Sequence, residues 1–436
     1  MNEIPTPKTR SQLAHLLMIA ALALLLRGIP FVNVYLIQQA DPAPRCGGDP
    51  GTYLGMAHHV YLIGDLSPST FLPRPFLFPA LAGAIYAVVG ESPIVIIGIN
   101  LLLNVLTCLL IYRFAHLIGL SGRGAFVAGL AAACYPAMIS ASVCYMTDAL
   151  MMVFLVYGLV FFARFLKRPM WHDLLIAGAL FALANLGRSA TIVLPFLLVA
   201  IILWRLRRTW RLYGRAAIVA MWVAIAALPF VLPTLRNAVY GGIPTFSTAG
   251  QWMLLFMRAT SSERRATDDP VELIYARYIQ EIERRQGNAI PPLESISPVA
   301  IWDYYQPTPA EHAVISTLAL ETILKYPQWY ILNTPYGIWR ILTVAPDDSF
   351  FPRPVGGVIN IGMILGAAVG GVRLWRRGKR THLFVLGLLF VVVIGLAVAL
   401  QTAVLDTRHG LAGIAAFFPL VGAAFFPPPA DSSPPN

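Results

Sequence analysis

Cys46-Gly47-Gly48-Asp49-Pro50-Gly51-Thr52-Tyr53, running on to Leu72-Pro73-Arg74-Pro75-Phe76, is polar, rich in glycine and proline, and holds a carboxylate. It comes soon after the first long apolar segment, residues 13–36. A polar loop hung on such a segment lies at a membrane surface. The chain of 436 residues is 57% hydrophobic and 12% charged, with a mean hydropathy of +0.68. Soluble domains carry about a quarter charged residues. The sequence therefore predicts an all-α polytopic membrane protein. A net charge of +11 suggests nucleic acid in a soluble chain. Here Lys and Arg set membrane topology, and no nucleic-acid partner is expected. The first apolar segment runs well past a signal-peptide core and shows no obvious cleavage site, so it reads as an uncleaved span. The four cysteines lack metal-ligand spacing, which argues against zinc.

A span needs roughly 20 apolar residues. Segments that meet or approach this are 13–36, 93–112, 124–139, 149–162, 174–186, 191–204, 216–235, 355–374, 383–402 and 411–426. The expectation is about ten transmembrane helices. With the N-terminus inside, every dense basic cluster falls on one side, including Arg205, Arg207, Arg208, Arg211 and Arg215, and Arg373, Arg376, Arg377, Lys379 and Arg380. The opposite side receives most acids, among them Asp49, Asp148, Asp347, Asp348 and Asp406. This sidedness holds only if residues 75–90 do not cross, so they are expected as an interfacial helix. The organisation reads as an N-terminal transmembrane module, 1–235, with a catalytic first outer loop at 38–92. An outer-face segment follows at 236–354, with helical patterns at 271–285 and 313–342. C-terminal transmembrane helices fill 355–427, and 428–436 form a proline-rich disordered tail.

The unusual polar residues collect on the outer face. Asp49 lies in a glycine-rich turn after the first span, and Asp148 lies in Tyr145-Met146-Thr147-Asp148 before another. Two carboxylates on one surface suit a divalent cation, Mg or Mn, or a general base with a supporting acid. The plainer readings are a turn aspartate and a helix N-cap. Arg74, Arg188, Arg408 and His409 are the cations that suit a phosphate, against the plainer reading of snorkelling to headgroups. Arg27, inside the first span, is a functional candidate or snorkels outward. Tyr53 and His58 follow Asp49 at roughly helical spacing, where they face the same pocket or, for Tyr53, simply pack. If the two acidic loops converge, Cys46 and Cys144 are placed to form a disulfide on an oxidising face. Cys108 and Cys134 read as ordinary buried residues.

Taken in order, these motifs resemble membrane glycosyltransferases of the GT-C superfamily, nearest to the bacterial protein-mannosyltransferase and aminoarabinose-transferase-like branch. The resemblance is carried by Gly48-Asp49-x-x-x-Tyr53, Ile63-Gly64-Asp65 and Arg74-Pro75-Phe76-Leu77-x-Pro79. Further along it rests on Tyr135-Pro136, Tyr145 to Leu150, Leu186-Gly187-Arg188-Ser189-Ala190, Arg236-Asn237-x-x-x-Gly241, Ser247-Thr248-x-Gly250 and Asp406-Thr407-Arg408-His409. It implies a polyprenyl-phosphate-linked sugar donor and inverting transfer to a protein, lipid or glycan on the outer face of a bacterial inner membrane. It puts Asp49 and Asp148 at the two acidic positions and Arg74 near the donor phosphate. Leu72 stands where some members carry an acid, which weighs against tightly bound metal.

A flippase of lipid-linked saccharide would use the same arginines, but calls for charged residues deep in the spans and for inverted repeats. A non-catalytic assembly subunit would tolerate loss of Asp49. An oligosaccharide ligase shares the chemistry of transfer.

Overall fold

The computed structural model describes residues 7–42, 49–65, 73–207, 212–343, 353–400 and 410–428. Among them there is no strand. The chain opens with α1 (Pro7–Phe31), which continues as a π-helical turn, Val32–Ile37, just beyond Pro30. Two short helices, α2 (Asp49–Ile63) and α3 (Leu77–Val89), pack on each other. At 1.5 Å per residue α3 is about 20 Å long, short of the roughly 30 Å of a bilayer core. Next come α4 (Pro93–Leu117), α5 (Gly122–Ala133), α6 (Pro136–Ser142), α7 (Asp148–Lys167) and α8 (Trp171–Gly187). A 3-10 turn, Ser189–Thr191, leads into α9 (Leu194–Leu197), α10 (Val199–Leu206) and the long α11 (Leu212–Gly241).

Among the described residues, six helices are long and apolar enough to cross a membrane: Ser11–Ile37, Pro93–Leu117, Asp148–Lys167, Ser189–Leu206, Tyr213–Gly241 and Pro354–Arg376. The pair α5 and α6, bent by 56°, makes a seventh if it counts as one span. The stretches Trp171–Gly187, Leu383–Gly395 and Leu411–Phe425 are apolar but shorter. The all-helical polytopic class holds, then, while the count of ten does not follow from helix length and composition.

Proline and serine set several helix starts. Pro93 and Pro136 take the first turn, where a missing N–H costs nothing. Ser121 caps α5 by accepting from Gly124 N. The bend between α5 and α6 takes the helical partner from Ala133 O and leaves Ala132 O a long bond from Tyr135 N at 3.4 Å, which is costly inside an apolar bundle. Arg27 satisfies them. It is fully buried and donates to Ala133 O at 2.9 Å and Ala132 O at 3.3 Å. Its Nε and Nη2 also reach Asn104 Oδ1, at 3.2 and 3.1 Å. Arg27 therefore does not snorkel; it ties α1 and α4 to the broken span. Glycines let the backbones approach, as membrane helices require. A Cβ on Gly422 would collide with Gly124 O, and one on Gly370 with Leu420 O.

The segment between α11 and residue 343 has its own apolar cluster. It comprises α12 (Ala249–Met253), a π-helical turn Leu254–Ala259, α13 (Thr260–Thr267), α14 (Val271–Gln286), a 3-10 run Pro298–Tyr305, α15 (Pro309–Lys325) and α16 (Pro327–Thr343). Thr308 and Glu311 form a capping box at α15. The single amphipathic stretch expected at 313–342 is two helices, because Pro327 starts a new one. The chain ends in α17 (Arg353–Arg376), α18 (Arg380–Leu400), α19 (Leu411–Ile414) and α20 (Phe417–Phe425), with α20 wedged against α17 and α5. Cys108 is buried as expected, but Cys134 is exposed, because it sits at the helix break.

Candidate active site

Asp49 is the first residue of α2, not a turn residue, so the positive end of a helix dipole favours its carboxylate. Tyr53 lies four residues on, on nearly the same face. Arg74, in the loop before α3, reaches back across both. Its Nη2 donates to Asp49 Oδ1 at 2.5 Å, and its guanidinium lies 5.3 Å from the centre of the buried Tyr53 ring. Arg74 also lies 5.5 Å from the Tyr305 ring. Burial works against the Arg74 charge, but Tyr53, Asp49 and Tyr305 more than offset it, so the guanidinium is held above its ordinary value.

The second acid is built differently. Asp148 starts α7 and is fully buried, and Arg188, just after α8, donates to its Oδ1 at 2.5 Å. Among the described residues, Asp148 Oδ2 has no hydrogen-bond partner. The turn ahead of Asp148 is pinned from two spans. Asn100 of α4 donates to Cys144 O and Met146 O, both at 3.0 Å, and the Tyr35 hydroxyl donates to Val143 O. Rings join the two loops: Tyr53 meets Phe78 edge-on at 5.6 Å, and Phe78 meets Tyr145 at 5.4 Å. Burial opposes the Arg188 charge. Asp148, Tyr53 and Asp49 favour it, Arg74 opposes it, and the balance raises it. The two acid–arginine pairs thus act on one another.

The segment after α11 closes one side. Ser247 donates to Pro73 O at 2.8 Å, next to Arg74. Asn237, at the end of α11, holds that loop by donating to Thr245 O at 2.7 Å. Tyr305 packs edge-on against Trp252 at 5.2 Å, and its buried hydroxyl has no partner among the described residues. Burial pushes that hydroxyl well up, only partly opposed by Arg74. Sequence reasoning missed Tyr305. The one available signal was the aromatic run Trp302-Asp303-Tyr304-Tyr305 in the segment after α11.

The structure therefore gathers Asp49, Tyr53, Arg74, Asp148 and Arg188. His58 does not join them: nine residues at about 100° each carry it to the far side of α2 from Asp49. There it is exposed and contacts Glu91 at 2.7 Å, while His59 contacts Asp65 at 2.9 Å. Arg408, His409 and Cys46 lie outside the described residues, as do Leu72, Asp347, Asp348 and Asp406. Cys144 is disulfide-bonded. The two acids fit a divalent cation poorly, because each already holds an arginine. Among the described residues, no three His, Cys, Asp or Glu side chains gather as metal ligands.

Known proteins bear on this arrangement in two ways. Residues 73–235 match the family described as dolichyl-phosphate-mannose-protein mannosyltransferase. The fold is similar to the archaeal oligosaccharyltransferase AglB from Archaeoglobus fulgidus in complex with an inhibitory peptide and a dolichol-phosphate. It is equally similar to the apo Archaeoglobus fulgidus oligosaccharyltransferase. Both align at 14% identity and a TM-score of 0.50, covering 94% of this chain and 50% of theirs. The chain thus spans about half the length of those structures. No curated protein matches it by sequence. The GT-C resemblance read from the motifs therefore stands: residues 73–235 match the dolichyl-phosphate-mannose-protein mannosyltransferase family, and the helices are laid out as in a GT-C oligosaccharyltransferase.

Proposed function

We propose that the protein transfers a sugar from a polyprenyl-phosphate donor to an acceptor hydroxyl at the outer face of a cell membrane, with inversion. The observation that carries this reading is the pairing of Asp49 with Arg74 beside Asp148 with Arg188. In the proposed step the acceptor oxygen attacks the anomeric carbon as the bond from that carbon to the phosphate oxygen breaks. The acceptor proton passes to Asp49, the more open of the two acids, its side chain 35% exposed against 0% for Asp148. The departing phosphate takes the bonding electrons, and Arg74 and Arg188 stabilise its charge. On binding, the donor phosphate competes with Asp49 for Arg74, which frees the carboxylate to act as base. Asp148 is too buried to meet an acceptor and instead orients Arg188.

The reading assigns residues 1–235 to the catalytic module and 236–354 to its outer cover. Residues 355–427 form supporting spans, and both termini are cytoplasmic. The first acceptor classes to try are protein hydroxyls, lipids and glycans. The test follows labelled sugar from a panel of polyprenyl-phosphate donors, comparing wild type with Asp49→Asn. Transfer in the wild type, lost in a folded Asp49→Asn protein, supports the assignment. Label that only changes leaflet, indifferent to the substitution, overturns it in favour of a flippase.

A further inference from the structure

The end of the bundle opposite the site is crowded with cations. α7 starts at the site with Asp148 and, at 1.5 Å per residue, ends about 30 Å away at Lys167. Arg205 binds the carbonyls of Leu166 and Lys167 there, at 2.8 and 3.1 Å, so α10 ends beside α7. The Lys379 side chain comes within 3.9 Å of a Cβ built on Gly119, which brings the α17–α18 turn to the end of α4. Among the described residues of the connections at this end, Asp173 is the sole carboxylate, and Arg164 already holds it at 3.1 Å.

A groove opens within this field. α18 packs against Ser189–Thr191 and Leu194–Leu197 nearer the site. Farther on, α10 and α18 leave a cavity of about 330 Å³ between them, lined by Ala200, Ile201, Trp204, Arg380, Thr381 and Phe384. Its walls are apolar, and both Trp204 and Phe384 are exposed into it or beside it. Its mouth is cationic: Arg380 lies 5.1 Å from the Trp375 ring, and Arg207 lies 5.6 Å from the Trp204 ring. Neither arginine is paired with a carboxylate among the described residues. Both helices belong to apolar stretches of the bundle, so lipid meets this wedge.

We propose that the groove binds one anionic glycerophospholipid, with an acyl chain along Trp204 and Phe384 and the phosphate at Arg380 and Arg207. The apolar walls call for a chain, which free phosphate lacks. The uncompensated cations favour a net negative headgroup over a zwitterionic one, as basic pockets between spans do. Trp at the mouth suits the headgroup level of a bilayer. The inference does not depend on the sugar-transfer reading.

The test is native mass spectrometry of the full chain released from bilayers holding equal amounts of phosphatidylglycerol and phosphatidylcholine. Wild type is expected to retain phosphatidylglycerol over phosphatidylcholine by about thirtyfold, given about 1 kcal/mol for each of the two arginines near a headgroup. The double variant Arg207→Gln/Arg380→Gln is expected to fall to about twofold or less. Arg168→Gln/Arg376→Gln removes the same charge at the same end but outside the groove, and is expected to keep the preference. Ala200→Trp fills the groove with every charge intact and is expected to lose the bound lipid. A thermal midpoint in detergent checks that each variant is folded. Equal retention of both lipids by wild type overturns the proposal. So does an equal loss in the two charge-matched double variants, or displacement of phosphatidylglycerol by inorganic phosphate.

Discussion

Replacing Arg188 with methionine tests the way the buried acid is held. Asp148 is fully buried, Arg188 Nη1 lies 2.5 Å from Oδ1, and Oδ2 has no partner among the described residues. Two charges about 4 Å apart at an effective dielectric near 20 attract by about 4 kcal/mol. Removing one member of such a pair strands the other and typically costs about 3–5 kcal/mol. The Arg188 side chain is 23% exposed, so water screens part of the attraction and the lower end, about 3 kcal/mol, is expected. Asp148→Asn takes the counter-charge from Arg188 but keeps an acceptor for it, and the 23% of that side chain that meets solvent limits the expected cost to about 1 kcal/mol. In the double variant nothing charged is stranded, so its cost should fall well below the sum of the two singles. The expected coupling is about 2 kcal/mol. The assay is a double-mutant cycle on apparent stability in detergent, read by thermal or denaturant unfolding. If the single-variant losses simply add, the pair is not coupled, and the assignment of Asp148 as the residue that orients Arg188 fails with it.

Other consequences follow from the packing and the outer helices. Arg27→Leu uncaps the carbonyls of Ala132 and Ala133 inside the bundle and leaves Asn104 without its partner; the expected loss is about 3 kcal/mol or more, and an unchanged thermal midpoint would remove the capping argument. Gly422→Ala drives a methyl into Gly124 O and is expected to cost about 1–3 kcal/mol. Gly362→Ala meets nothing within 4 Å and should be neutral or gain about 0.5–1 kcal/mol from helix propensity; a reversed order of these two would contradict the packing of α20. In α14, hydrogen bonds from Arg284 and Arg285 lower the Glu281 carboxyl from 4.5 to about 2, although burial works the other way. A depressed carboxyl stabilises the fold above pH 4.5 and loses that effect as pH falls toward 2, so the stability gap between wild type and Glu281→Gln should close over that window. The pair is largely exposed, so the gap is expected to stay under about 1 kcal/mol. Hydrogen exchange of α14 amides reads it, and a gap that widens in acid would reverse the sign of the argument.

Much of this protein is set by local properties of the chain. Apolar runs such as 93–117 and 148–167 are helices because a bilayer tolerates no unpaired backbone, and hydropathy alone reports that. Pro93, Pro136, Pro309 and Pro327 mark helix starts, because a ring nitrogen without hydrogen is harmless in a first turn. The acids and arginines of the candidate site were likewise legible, since charged residues beside apolar spans are few and costly. Helical geometry even separates Tyr53 from His58, because four residues return nearly to the same face and nine cross to the opposite one. Pairing between distant segments was not legible. Arg27 reads as a functional or snorkelling arginine until the break between α5 and α6 is brought against α1. Tyr305 reads as one more aromatic until the segment after α11 folds over Arg74. Asp148 finds Arg188 only because α7 and α8 pack side by side and return the chain to one end of the bundle. Each of these outcomes depends on which buried polar group must be satisfied by which neighbour, and that neighbour is chosen by tertiary packing.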